Sequence, residues 1–478
     1  MVTVTNMRRL TASIILIICV LLSGCLLGPD FKRPEVETEA EYRFETLKGD
    51  SPVNLQWWEL FNDPVLASLV ITALQENKNV LIAASRIEEA RAFLGFTRAD
   101  QFPRLDIEAD AARGNLAGIS RAPSTDNNFY IAPALSWEID FWGKFRRATE
   151  SARAELLASE YALRTVQISL ISEVISTYFL LLDYHQRLEI SRRTLNSRVK
   201  SLKIIQLRFD YGIVPELDVN QAQILKEVAA AAIPFYERTI GKTENVLSIL
   251  LGRLPDAIQK GAPLDKQSIP PDIPTGLPSS LLTRRPDIMQ SEYLLQAQNA
   301  RIGIAQALRL PAIRLTGRYG GASDELDSLT SGGAAWSAGG SLVGPLFDFN
   351  QSAQRVAVER ERTKQAVLSY ENTVLLAFRE VEDALVEIET YKEEIAATER
   401  RTKAAQNATA LSNERYDKGV TSFLEVLDNE RILFSVELEL SQIQQDYLNA
   451  YVKLYKALGG GWISKEEMET AKAQSASP

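Results

Sequence analysis

"RFDYGIVPELDVNQAQ" (residues 208–223) and "RYDKGVTSFLEVLDNER" (residues 415–431) are two copies of one phrase. Arg208 and Arg415 stand 207 residues apart, and so do Gly212 and Gly419. In each copy a glycine halts an apolar-periodic run, and a second run starts at once. Glycine suits the left-handed position that ends a helix. Each copy therefore reads as a corner between two helices, with acids following the turn.

The match extends outward. An offset of 207–208 residues sets "ADQFPRLDIEA" (99–109) on "AQALRLPAIRLTG" (305–317), "IDFWGK" (139–144) on "FDFNQS" (347–352) and "LLG" (250–252) on "ALG" (457–459). Such self-similarity marks an internal repeat. We divide the chain into residues 1–24, 25–62, a first repeat at 63–252, a linker at 253–278, a second repeat at 279–459 and a tail at 460–478. Six prolines between residues 252 and 278 identify the linker.

Each half follows one plan. Asp63-Pro64 is a good cap for a first helix running to about Asp100, and Pro286 opens its equivalent. Next come strand-like stretches rich in Gly, Trp, Phe and Tyr: one hairpin within 102–142 and another within 311–349. Long helices follow at about 144–209 and 351–416. Val174, Leu181, Leu188, Leu195, Leu202 and Phe209 are spaced by seven, as are Val367, Val374, Val381, Ile388 and Ile395. Sustained heptads mean coiled-coil packing. After each corner a helix returns, completing helical hairpins at 144–251 and 351–458. Pro234 should kink the first return helix, whereas the second has Ser441 there.

Composition narrows the function. The chain has 478 residues, a formal charge of −9, one histidine and two cysteines. An acidic chain without a basic stripe argues against nucleic acid as a partner. A single histidine, His185, leaves little for metal or Ser–His and Cys–His chemistry; it reads as an ordinary helix residue. No catalyst, cofactor or metal site is implied. At the N-terminus, Arg8 and Arg9 precede a short apolar run, small residues and Cys25, the pattern of a secretory signal. Leu22-Ser23-Gly24-Cys25 matches the bacterial lipobox, so Cys25 is expected to be acylated and to begin the mature chain. Leu26, not aspartate, follows it, which favours the outer membrane.

The strands set the oligomer. Four per chain cannot close a barrel, and an open sheet edge cannot sit in lipid. Two chains give eight strands, whose interior is filled by side chains. Three give twelve and leave a pore, so a homotrimer is expected.

The lipobox with "GPDFKRP" (28–34), "WWELFNDPVL" (57–66), "RRPDI" (284–288), "YDKGVTSFLEVLDNER" (416–431) and "ALGGGW" (457–462) resembles the outer membrane factors of tripartite efflux systems, in the lipoprotein branch of the TolC superfamily. The resemblance covers almost all of residues 25–463. It implies a mainly α chain with membrane β: a trimeric 12-stranded outer-membrane barrel, four strands per chain, continuous with a long coiled-coil α-barrel in the periplasm. It also implies a periplasmic adaptor and an inner-membrane pump of the resistance-nodulation-division class, with the duct passively exporting drugs or other small toxic compounds. An iris at the periplasmic end would be held by the corners. Carried onto this chain, its gate residues are Tyr416, Glu425 and Asp428, with Asp218 in the first half. Thr421 stands where a relative carries a latch arginine. Alternatively, these acids only cap the returning helices. The corners at Gly212 and Gly419 would also receive the adaptor, and small-to-large changes there should abolish efflux while leaving trimers intact. Competing readings are a duct for metal ions or secreted polypeptides, and a structural coiled-coil lipoprotein that spaces the outer membrane from the cell wall. The hairpins argue against the spacer, which needs no strands.

Overall fold

The computed structural model describes residues 25–36, 42–43, 56–117, 120–270, 281–329 and 334–460. The signal at 1–24 and nearly all of the tail lie outside them. Seven helices and four strands follow in chain order among the described residues, besides short single turns: α1 (Pro64–Glu76), α2 (Lys78–Ala99), β1 (Arg104–Ala117), β2 (Ser120–Ile139), α3 (Lys144–Asp210), α4 (Glu216–Leu250), α5 (Pro286–Ala307), β3 (Ala312–Ser323), β4 (Ala334–Val343), α6 (Gln351–Asp417) and α7 (Phe423–Ala457).

The repeat is visible to the residue. Adding 208 moves α2 onto α5, and adding 207 moves α3 and α4 onto α6 and α7. α3 and α6 each have 67 residues, or roughly 100 Å at about 1.5 Å per residue. One expectation is corrected. The opening helix is not continuous from Pro64 to Asp100, because Asn77 breaks it. Its side-chain oxygen accepts from the Asn79 and Val80 amides (2.8 and 3.4 Å), which caps α2. Pro286 therefore corresponds to Lys78, not to Pro64. The Asn77 amide also donates to the Leu250 carbonyl (2.8 Å) at the end of α4. Its repeat partner is Arg285, which donates to the Ala457 carbonyl (3.0 Å) at the end of α7. The same docking has been kept with different chemistry.

The return helices also diverge. α4 runs on through Pro234. At the matching place in α7, the buried Ser441 donates its hydroxyl to the buried Asp183 carboxylate of α3 (2.6 Å).

The chain forms two compact units. One contains all four strands with the helix segments within residues 86–160 and 290–371. Its sheet is antiparallel in the order β1-β2-β3-β4. The β2–β3 pairing joins the two halves of the sequence, Phe129 facing Ser323 and Ile139 facing Ile313.

The other unit contains the helical hairpins and their core. Trp57 stacks on Tyr455 (5.0 Å between ring centres) and Phe61 meets Phe179 edge-on (5.0 Å). Asp63 is buried, caps α1 through the Val65 and Leu66 amides, and accepts the Tyr178 hydroxyl (2.7 Å). An 18-residue window of α3 has mean hydropathy 1.5, enough to cross a membrane, yet 56% of it is buried within the fold. That is a core stripe, not a membrane span.

Candidate functional site

The sheet has two opposite faces. Side chains alternate across each strand, and the pairing registers put like with like. One face carries Leu105 and Ile107 of β1, Ile131 and Leu135 of β2, Leu315 and Tyr319 of β3, and Trp336 and Leu342 of β4. All eight are exposed. The other face carries Arg104, Asp106, Glu108, Glu138, Arg314, Thr316, Arg318, Ser337 and Ser341. There Arg318 pairs with Glu108 (2.9 Å), which also accepts the Tyr130 hydroxyl (2.9 Å), and Arg314 pairs with Glu138 (3.2 Å). An apolar face of this extent is costly in water and suits lipid. β1 and β4 end the sheet, so their outer edges have no strand beside them among the described residues.

Cys25 lies at the base of this sheet, exposed. The Leu27 amide donates to the Trp142 carbonyl (3.4 Å), and Arg146 reaches the Cys25 carbonyl (3.4 Å). The next residues are fastened more firmly. Arg147 is buried and bonds the Leu27 carbonyl (2.9 Å), the Gly28 carbonyl (3.1 Å) and the Asp30 carboxylate (2.9 Å). Gly28 has φ +96° and lies so close to Gly303 that an added Cβ would come within 2.5 Å of its Cα. Cys25 is thereby held beside residues 139–143, where β2 turns into α3.

The two corners are built alike. Gly212 (φ +69°) and Gly419 (φ +71°) adopt the left-handed conformation. Ile213 donates to the Arg208 carbonyl (2.8 Å) and Gly212 to that of Phe209 (2.8 Å). Val420 and Gly419 repeat this to Arg415 (2.9 Å) and Tyr416 (3.0 Å). These are Schellman ends. A Cβ added at either glycine meets nothing within 4 Å, so substitution there would strain the turn without a clash. Ile205, Ala222, Phe423, Val426 and Leu427 form a small buried core beside the corners.

The expected gate residues are not all brought together. Tyr416 packs its ring on Phe423 (5.2 Å). Glu425 pairs with Arg415 (3.2 Å) and accepts the Thr421 hydroxyl, all within the second corner. Asp428 pairs with Arg431 (2.7 Å) on its own helix. Asp218 is half-buried, and burial raises its carboxyl above the ordinary value. None of these acids joins one hairpin to the other. Arg208 does. It lies over the Tyr416 ring (4.7 Å) and pairs with Asp417 (3.0 Å). Arg208 and Asp417 escaped the sequence reading because a cation on the first corner and an acid on the second reverse the expected order. Deeper in, the buried Arg198 donates to the Leu225 carbonyl (2.6 Å) of α4 and the Glu430 carbonyl (3.4 Å) of α7.

His185 is half-buried at a cavity of about 550 Å³ lined by α3, α6, α7 and residues 260–265. Burial, then the Lys260 charge, lowers its pKa to about 4. It is neutral at pH 7, as an ordinary packed histidine would be.

The profile of the family described as "Outer membrane efflux protein" matches residues 69–253 and again 277–460. The two matches coincide with the repeat. The solvent efflux pump outer membrane protein SrpC of Pseudomonas putida is 36% identical, over 92% of this chain and 96% of its own length. The cation efflux system protein CusC of Escherichia coli is 32% identical, over 92% and 96%. Among solved structures, the outer-membrane channel OprN superposes with a TM-score of 0.85 at 30% identity, over 92% of this chain and 100% of that one. The chain belongs to the Outer membrane efflux protein family and is an efflux duct of the outer membrane.

Proposed function

We propose that three copies join edge to edge, β1 of one to β4 of the next, into a 12-stranded barrel, and that this duct passively releases small toxic compounds. A periplasmic adaptor and an inner-membrane pump of the resistance-nodulation-division class deliver them. The sheet carries this reading: one face apolar, one charged, and both edges open. Lipid permits such a sheet only when it closes on itself. With the apolar face on lipid, the Arg318–Glu108 and Arg314–Glu138 pairs line the lumen. In planar bilayers the purified protein should give discrete conductance steps. Their absence would favour the spacer reading.

Acylated Cys25 adds a second anchor at the base of the barrel. Labelling with a radioactive fatty acid should mark the wild type and not Cys25→Ser. Label retained by the variant would remove the anchor from the account.

The helical corners gate the periplasmic end and receive the adaptor. Gly212, Gly419, Tyr416, Glu425, Asp428 and Asp218 belong to that end. We assign the bridge between the corner tips to Arg208, Tyr416 and Asp417; further from the tips, Arg198–Glu430 (4.0 Å) and Arg193–Glu437 (2.8 Å) also link the two hairpins through charges.

A further inference from the structure

α3 has a helix on each of two flanks. Its own return helix α4 takes one, through Arg192–Glu237 (2.8 Å). α7 of the second hairpin takes the other. Four side-chain contacts set the α3–α7 register: Ser176 with Asn449, Asp183 with Ser441 (2.6 Å), Arg193 with Glu437 (2.8 Å), and the Arg198 guanidinium over the Phe434 ring (4.9 Å).

α6 is the repeat copy of α3, and α7 fills one of its flanks through Glu387–Lys453 (2.7 Å) and Arg401–Glu439 (2.9 Å). The flank that meets α7 on α3 stays open on α6. Ile168, Leu182, Asp183 and Ile190 are buried on α3, whereas their copies Leu375, Glu389, Thr390 and Ala397 are exposed. α4 is the copy of α7 and shows the complementary gap. Phe434, Ser441, Gln445 and Val452 are buried on α7, whereas Glu227, Pro234, Arg238 and Asn245 are exposed on α4. Away from the corners the lateral order is therefore α4, α3, α7, α6, with an open flank at either end. The chain holds one complete interface between its hairpins and the two separated halves of a second. Only another copy brings those halves together, and a head-to-tail contact of this kind makes a ring when its rotation closes.

The charges on the two halves fit. Moved by 207 residues, the Ser176–Asn449 contact becomes Asp383 opposite Lys242, a neutral hydrogen bond exchanged for opposite charges. Arg193 becomes Arg400, and Glu227 lies one turn from Ala230, the position opposite it. Within its own chain Asp383 reaches Arg379 one turn away (3.6 Å), both side chains 63% exposed, so that pair holds it weakly. Lys242 is exposed and pairs with no acid among the described residues. We infer that α6 of one copy packs along α4 of the next in the α3–α7 register, with Asp383 paired to Lys242 of the partner subunit. This rests on the trimer reading and adds a helical seam to the one between strands. The ion pair fixes the register, because a slip of one turn brings Asp383 opposite Arg238 or Asn245 and leaves Lys242 without its acid.

The test uses the full chain in the outer membrane. Asp383→Cys with Lys242→Cys, joined by a short bismaleimide, should give bands of two and three chains under denaturing conditions. Ser176→Cys with Asn449→Cys copies that register inside one chain and should give single-chain bands alone. Asp383→Cys with Glu227→Cys should not link, since Glu227 lies 15 residues along α4 from Lys242, roughly 22 Å at about 1.5 Å per residue. Asp383→Lys and Lys242→Asp should each lower the temperature at which trimers dissociate, and the two together should restore it. No link between positions 383 and 242, in protein whose β1 and β4 edges do link into trimers, would overturn the seam. Links in the displaced pair would overturn its register. Unchanged temperatures in the single reversals, or no recovery in the double one, would overturn the ion pair. Failure of both the helical and the strand links would instead refute the trimer reading itself.

Discussion

Arg208→Ala should raise the conductance of the purified protein about tenfold or more. Arg208 ties the first corner to the second through Asp417 and the Tyr416 ring. Asp417 is largely exposed, so the ion pair contributes only ~0.5–1 kcal/mol, and the cation over the ring adds about as much. One such bridge would not hold a gate. Three copies released together shift the balance by ~3–6 kcal/mol, comparable to the ~5.5 kcal/mol that inverts a 1:99 equilibrium. Arg208→Lys should open the end partly, since lysine keeps the charge but loses the planar stack. High salt should mimic the variant, because the pair is screened. Tyr416→Phe keeps the ring and should do much less. Wild-type conductance in Arg208→Ala would remove Arg208 from the latch.

The largest stability loss should come from Arg285→Ala. Arg285 is 5% exposed and joins three groups: Asp287 (2.6 Å), Glu380 (2.7 Å) and the Ala457 carbonyl (3.0 Å). Removing it strands two carboxylates and uncaps the end of α7. Both carboxylates keep some contact with water, so the cost should be about 2–4 kcal/mol, at the lower end for breaking a buried pair. The denaturation midpoint of the purified protein would report it. Arg285→Lys should recover only part, since lysine cannot reach three acceptors from one plane. A loss below about 0.5 kcal/mol, the size of an ordinary surface change, would show that the Asn77-like docking is not needed in the second repeat.

Much of this fold is legible in the sequence because its rules are periodic. Heptads from Val174 to Phe209 announce a long coiled-coil helix, and Gly212 and Gly419 mark where it turns. Alternation in "RLDIEADA" announces a strand with one apolar face. Less legible is what depends on a distant partner. The pairing of β2 with β3 joins residues nearly two hundred positions apart, and no local pattern encodes it. Asn77 looks like any polar helix residue until the end of α4 is placed beside it. Arg208 is the same case at the corner. The copies were recognised by what they share, whereas the bridge depends on where they differ: Asp210 and Asp417 are equivalent, but Phe209 faces no cation as Tyr416 does.

In the proposed trimer the two open edges of the sheet find each other in a ring of three. Ala109 on β1 and Ala338 on β4 lie on the same apolar face, and Cys25 is the only described cysteine. A protein carrying Ala109→Cys with Ala338→Cys, or Ala111→Cys with Ala338→Cys to allow for register, should be oxidised in the outer membrane and separated under denaturing, non-reducing conditions. Bands of one, two and three linked chains are expected, and none beyond. A ladder stopping at two, continuing past three, or absent from both pairs while the protein is folded in the membrane would contradict the ring of three.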